Sequence, residues 1–248
     1  MSSIEKNSTY KMWSFRAIDE PELCEKYIEG HVKVLTDYGI TSISSNNKLW
    51  LSNPYMYCLA VKNLETEELV GGIRIQIADG VSPLPVEKGI GHMDERIYNV
   101  VKKYAFDGGV GELNGLWVSN KLKGVGMGPY LVRAAIASAT QLNFKTLIGI
   151  CGENTMQMFK NVGFLVNESL GKMGGFPYPT NDLTAHVVGI LDAITLQTAA
   201  EHDKKIMIFL RQNLLSERIE KNNNFTSNIE YNLIFKNVTI NKYGTSVE

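Results

Sequence analysis

Residues 112–128 read ELNGLWVSNKLKGVGMG, and the reading of this stretch decides the fold. Its first part, Glu112 to Val118, suits an extended strand that ends on the bulky pair Trp117-Val118. A polar turn, Ser119 to Leu122, leads into glycines at three alternate positions, Gly124, Gly126 and Gly128. Pro129 then suits the first turn of a helix, where the N–H it lacks would have no partner anyway. A strand–turn–helix unit of this kind aims backbone N–H groups and the positive end of a helix dipole at one point. Glycines there let an anion reach the backbone, because no Cβ stands in the way. The expectation is a phosphate site on Lys123-Gly124-Val125-Gly126-Met127-Gly128.

Three kinds of phosphate loop compete for that stretch. A Walker loop requires Lys-Ser/Thr at a fixed offset, which is missing. A dinucleotide loop requires GxGxxG, and its last glycine falls on Pro129 or Leu131, counting from Gly124 or Gly126. Lys123-x-x-Gly126-x-Gly128, by contrast, resembles the Arg/Gln-x-x-Gly-x-Gly/Ala signature of the GNAT superfamily of N-acyltransferases. A second element of that superfamily follows at the right distance. Asn154 to Phe164, NTMQMFKNVGF, resembles the helix that ends in Tyr-x-x-x-Gly-Phe and packs beside the cofactor.

The resemblance implies an α/β (α+β) fold. Its parts are a mixed, mostly antiparallel central sheet, a splayed pair of parallel strands, and helices on both faces. It implies an acyl-CoA-dependent N-acyltransferase, with acetyl-CoA or another acyl-CoA as co-substrate and no metal. The acceptor would be a small-molecule amine or amino acid. The pyrophosphate would lie on Lys123 to Gly128, the thioester arm along Leu116, Trp117 and Val118, and the rest of the cofactor beside Asn154 and Phe159. The acyl oxygen would accept a hydrogen bond from a backbone N–H near Val118.

Two positions depart from the signature. Lys123 replaces Arg or Gln in a loop that works mainly through its backbone. Phe159 stands where many members carry a tyrosine that protonates the leaving thiolate. A non-catalytic acyl-CoA-binding module is therefore an alternative at this stage. A dinucleotide-dependent enzyme is a third reading, which the glycine spacing disfavours.

An attacking amine must lose a proton, which calls for a general base. Period-two alternation puts Glu112, Asn114, Leu116 and Val118 on one strand face, so Glu112 is the candidate base. Its competing reading is a solvated strand-end charge. Tyr178, between Pro177 and Pro179, is a candidate acid, or else loop packing. Cys151 is a thiol acid or nucleophile on one reading and inert packing on the other, the commoner case. Asn154 binds the cofactor arm or caps its helix. Arg74 reaches an acceptor carboxylate or, more often for a strand arginine, faces solvent. His31, His92, His186 and His202 have no i, i+4 histidine partner and no Cys neighbours, so a metal site is not expected.

A narrower resemblance runs through Val70-Gly71-Gly72-Ile73-Arg74-Ile75, Leu84-Pro85-Val86-Glu87 and Glu112 to Val118. These are similar to the acyl-homoserine-lactone synthase and long-chain N-acyl amino acid synthase branch. That branch carries Glu-x-Ser-Arg-Phe-x-Val on this strand, and Gly115 takes the arginine's place here. The branch implies a longer acyl chain, an acyl carrier protein as donor, and an amino acid as acceptor.

Outward from this core, the pattern predicts strands over 12–18, 55–62, 69–78, 146–151 and 185–190. Helices are expected over 22–38, 93–104, 128–141 and 154–161, and loops over 41–54, 79–91 and 171–181. A long helical run is expected over 192–219 and a last strand over 229–235, with a partly disordered Asn-rich tail. Residues 1–191 thus form the acyltransferase domain, and 192–248 a C-terminal extension suited to a lid or a homodimer contact. The chain has 248 residues, 44% hydrophobic and 21% charged, enough for a sizeable core without disulfides. A net charge of −1 supplies no field to recruit nucleic acid or a membrane. Three dispersed cysteines, a polar start and the lack of a long apolar run lead to the expectation of a cytoplasmic protein.

Overall fold

Ten strands and six helices account for most of residues 6–39, 48–222 and 225–239, which the computed structural model describes. The strand order is β6 (Leu165–Val166), β8 (Thr184–Ile190), β5 (Thr146–Gly152), β4 (Val110–Val118), β3 (Leu69–Ile77), β2 (Met56–Asn63), β1 (Lys6–Arg16), β10 (Phe225–Asn232) and β9 (Leu215–Asn222), with β7 (Gly175–Pro177) beside β8. Pairing is mostly antiparallel, and the β1–β10 and β4–β5 pairs are parallel. The fold class expected from the sequence is therefore observed. The chain divides into two compact units, and strands β3 and β4 contribute to both.

The first unit takes the described parts of Met1–Arg74, Gly115–Ala135 and Phe209–Asn237. β1 (Lys6–Arg16) runs antiparallel to β2 (Met56–Asn63) and parallel to β10 (Phe225–Asn232), which β9 (Leu215–Asn222) flanks. α1 (Pro21–Asp37) starts on a proline in its first turn and ends before Gly39, whose φ of +76° a helix cannot use. Its buried residues are Cys24, Tyr27 and His31, at the three- and four-residue spacing of one helix face. Cys24 packs with Phe15, Ala17, Met56, Cys58 and Ala60.

The second unit takes Ile75–Asn114, Ile136–Ile208 and the described end of Val238–Glu248. β4 (Val110–Val118) pairs with β5 (Thr146–Gly152) from Val110–Thr146 to Leu113–Gly149, and β8 (Thr184–Ile190) covers the other edge of β5. α3 (Arg96–Phe106) buries Ile97, Val101 and Ala105, four residues apart, against Val110, Ile148 and Val187.

Several expectations change. The loop over 79–91 contains a helix, α2 (Pro85–Ile90), because Pro85 opens it and the Glu87 carboxylate accepts from the Leu84 N–H at 2.6 Å. The loop over 171–181 contains β7 (Gly175–Pro177). The long helical run over 192–219 is not one helix. α6 spans only Glu201–Gln212, and β9 follows. β9 hides its nature because its inward residues are polar: Ser216, Arg218 and Glu220 point inward, while Leu215 and Ile219 are exposed. The final strand lies a few residues earlier than expected, and 41–47 of the first loop, with 223–224 and 240–248 of the Asn-rich tail, fall outside the described residues.

Candidate active site

In the first unit, the end of β4 turns through Ser119, whose N–H donates to the Val70 carbonyl at 2.8 Å and whose hydroxyl accepts from Lys121 N. One 3-10 turn, Asn120–Leu122, leads to Gly124 and Gly126, with φ of +85° and +92°. Both values lie in the left-handed region where glycine carries no steric penalty. α4 (Met127–Ala137) begins immediately after. Its first amides have no acceptor within the helix, which leaves them free for an anion. Val125 and Met127 are buried and anchor the loop from below, while Lys123 and Gly124 are exposed. Gly128 is half-buried, Leu116 and Val118 are half-buried, and Trp117 between them is buried.

The C-terminal hairpin braces this loop. Asn222 Nδ2 donates to the Gly124 carbonyl at 2.6 Å. A Cβ placed on Gly126 would stand 2.8 Å from Asn222 Cβ and 3.0 Å from the Tyr130 hydroxyl, so the cradle admits only glycine there. One turn further along α4, Arg133 meets Glu220 at 3.4 Å, and Glu220 also accepts from Arg218 at 3.0 Å and from Tyr231 at 3.3 Å. The sequence did not point to this brace, because it depends on residues some 90 positions apart.

In the second unit, Glu112 is 2% exposed and accepts from the Val86 N–H at 2.8 Å. The solvated reading of Glu112 is thus overturned: the carboxylate sits against the first amides of α2, which need an acceptor. Within β4, Gly115 takes φ of +59°, so the alternation that put Glu112 and Asn114 on one face with Leu116 and Val118 does not carry across it. Tyr178 is half-buried against the core that includes Val86 and Ile150, and its N–H donates to the Leu183 carbonyl.

α5 (Glu153–Asn161) is capped by Gly152, so Asn154 is not its cap and lies exposed in the first turn. Phe159 is buried edge-to-face on Phe164, with ring centroids 5.1 Å apart. Cys151 is buried beside Met156, and burial pushes its thiol up to about 11, which suits packing and not nucleophilic attack. Among the described residues, no three His, Cys, Asp or Glu side chains gather as metal ligands, and no helix is long and apolar enough to cross a membrane.

Arg74 overturns its expected place. It is 5% exposed, with its guanidinium 4.5 Å from the Trp50 ring and 5.8 Å from the Tyr27 ring. Gly115 makes room for it, since a Cβ there would stand 2.5 Å from Arg74 Nε. The Tyr27 hydroxyl donates to the Gly115 carbonyl at 2.5 Å. Burial, and then the Arg74 charge, hold the His31 pKa down at about 4. Tyr27 and Trp50 were not singled out as site residues by sequence, and His31 was weighed only as a metal ligand.

A family model described as the acetyltransferase (GNAT) family matches residues 19–164. The chain belongs to this acetyltransferase (GNAT) family. The match takes in the phosphate-type loop, β5 and all of α5, and family membership makes the chain an N-acyltransferase. No curated protein matches the sequence. Among solved structures, the GNAT chain is similar to FeeM, an N-acyl amino acid synthase from uncultured soil microbes. The identity is 14% with a TM-score of 0.58, over 73% of this chain and 90% of that one. It is also similar to BjaI, a CoA-dependent acyl-homoserine lactone synthase, at 11% identity and TM-score 0.53, over 82% and 90%. An acyl-CoA N-acyltransferase from Pseudomonas aeruginosa gives 12% and 0.51, over 73% and 99%. At these identities the likeness is one of fold.

Proposed function

We propose that this GNAT chain transfers an acyl group from a coenzyme A thioester to the amino group of a small-molecule acceptor by direct attack. The observation that carries this reading is the loop before α4, where Gly124 and Gly126 turn left-handed immediately ahead of a helix start. The amides of Gly126, Met127 and Gly128 hold the pyrophosphate, with Lys123 at the rim. Leu116, Trp117 and Val118 run beside the thioester arm, and Asn154 and Phe159 flank the rest of the cofactor.

The chemistry is a single displacement. The amine nitrogen bonds to the thioester carbon, and a backbone N–H near Val118 steadies the oxyanion. Glu112 takes the amine proton, directly or through water. The C–S bond then breaks, and the thiolate takes a proton from Tyr178 or from solvent, since Phe159 has none to give. The donor is acetyl-CoA or a longer acyl-CoA. A long-chain N-acyl amino acid synthase drawing on an acyl carrier protein is the second reading, supported by the likeness to the FeeM fold.

Residues 1–191 carry this chemistry. Residues 192–248 form an extension that braces the loop through Asn222 and, with Leu215 and Ile219 exposed on β9, offers an edge to a second copy of the chain. The three cysteines are free thiols, which supports a cytoplasmic setting. Calorimetric titration with acetyl-CoA, a long-chain acyl-CoA, free coenzyme A and NAD tests the donor site. Binding of the acyl-CoAs without NAD is expected, and their rank order selects the chain length. Silence with all four would overturn the coenzyme A reading.

A further inference from the structure

Three hydrogen-bond donors without acceptors gather around Tyr27. Arg74 Nε, Trp50 Nε1 and Trp117 Nε1 are all buried, and none has a partner among the described residues. The Tyr27 ring lies 6.0 Å from Trp50 and 5.8 Å from Trp117, both edge-on, and 5.8 Å from the Arg74 guanidinium. No carboxylate pairs with Arg74 among the described residues, although a buried guanidinium normally has one. Among the described residues, the other titratable groups facing it are Tyr27, Cys58 and His31. None of them is an anion near neutral pH: burial raises the Tyr27 hydroxyl and the Cys58 thiol, and His31 is neutral. The aromatic rings stabilise the cation by their faces but accept none of its N–H bonds.

We infer that the Arg74 guanidinium, with the indole N–H groups of Trp50 and Trp117, is a receptor for the carboxylate of the acceptor, which is therefore an amino acid or a close analogue. A planar, two-oxygen anion matches the fork of a guanidinium and takes further bonds from indole donors. The guanidinium lies 4.5 Å from the Trp50 ring and 5.8 Å from the Tyr27 ring, and these aromatic contacts hold it in place. Gly115 belongs to the same device, because only a glycine lets the guanidinium lie against β4. Trp50 belongs to the turn Lys48–Ser52, beside exposed Lys48 and Leu49. The assignment of the ligand as acceptor rests on the acyltransfer reading; the anion receptor itself does not.

The test is calorimetry on the full chain, with and without coenzyme A, against the proteinogenic L-amino acids and their carboxamides. At least one acid should bind, and its carboxamide should bind about a hundredfold more weakly, since the amide leaves the guanidinium uncompensated. Arg74→Gln should bring acid and amide within about threefold of each other. If that variant does not fold, the acid-against-amide ratio in the wild type still decides. Trp50→Phe, which keeps the ring and removes one donor, should cost the acid several-fold and the amide nothing. Coenzyme A binding with no acid preference, or an acid preference that survives in folded Arg74→Gln, would overturn the inference. An Arg74-dependent acid preference in a chain that binds no coenzyme A would uphold the receptor and sink the proposed function instead.

Discussion

His31 should make this fold acid-sensitive in a window set by its surroundings. The ring is buried on α1, 6.4 Å from Tyr27, and burial together with the Arg74 cation moves its pKa from 6.5 to about 4. Above pH 6.5 it is neutral in the folded and unfolded chain alike, and stability does not depend on it. Between 6.5 and 4 the unfolded chain takes up a proton that the folded chain refuses, so stability falls as the pH falls. The slope is about 1.4 kcal/mol per pH unit, which sums to about 2 kcal/mol at pH 5 and levels off near ~3 kcal/mol below pH 4. Urea unfolding of the wild type and of His31→Gln at pH 7 and pH 5 measures it. Other titrating groups act alike in both proteins, so the difference of differences isolates the ring. The wild type should lose about 2 kcal/mol more than the variant over that interval. Curves that stay parallel within about 0.5 kcal/mol would refute the picture of a neutral ring held beside a buried cation.

Gly126→Val should abolish acyl-CoA binding in calorimetry while circular dichroism stays native, because the added side chain meets Asn222 and Tyr130 and cannot hold φ of +92°; retained affinity would put the pyrophosphate elsewhere. Glu220→Ala should cost about 3–5 kcal/mol in denaturant unfolding, since it leaves Arg133 and Arg218 without their shared carboxylate. A loss below about 1 kcal/mol would show the network to be dispensable. Glu112→Gln keeps an acceptor for the Val86 N–H and removes the base, so kcat should drop about 100-fold or more with donor affinity unchanged. Unaltered turnover would leave Glu112 as a cap for α2 alone.

The phosphate-type loop was legible from sequence because its information is local. Alternate glycines ahead of Pro129 fix a strand, a left-handed turn and a helix within a few residues. Strands and helices with one apolar face were legible for the same reason. What escaped was held together across distance. β9 read as helix because its inward positions are Ser216, Arg218 and Glu220, whose burial makes sense only once Arg133 and Tyr231 are beside them. Arg74 read as solvent-facing because an arginine in a strand gives no hint of the aromatic rings, from α1 and the 48–52 turn, that enclose it. Glu112 stayed open between a base and a solvated strand-end charge because nothing local announces that Val86 needs an acceptor.

The parallel pairing of β1 with β10 ties residues 6–13 to residues 225–232. Synthesis runs from β1 toward β10, so nascent β1 can gain β2 early but must wait for β10 before its other edge is covered. Through that interval the polypeptide carries an open strand edge, a template for association with other unfinished chains. A ribosome that stops short of β10 releases a product that lacks both the cover for that edge and the hairpin under the loop. The emergence of β10 thus becomes the event that closes the sheet, and chains that stop before it are marked for chaperones and proteases by the edge they expose.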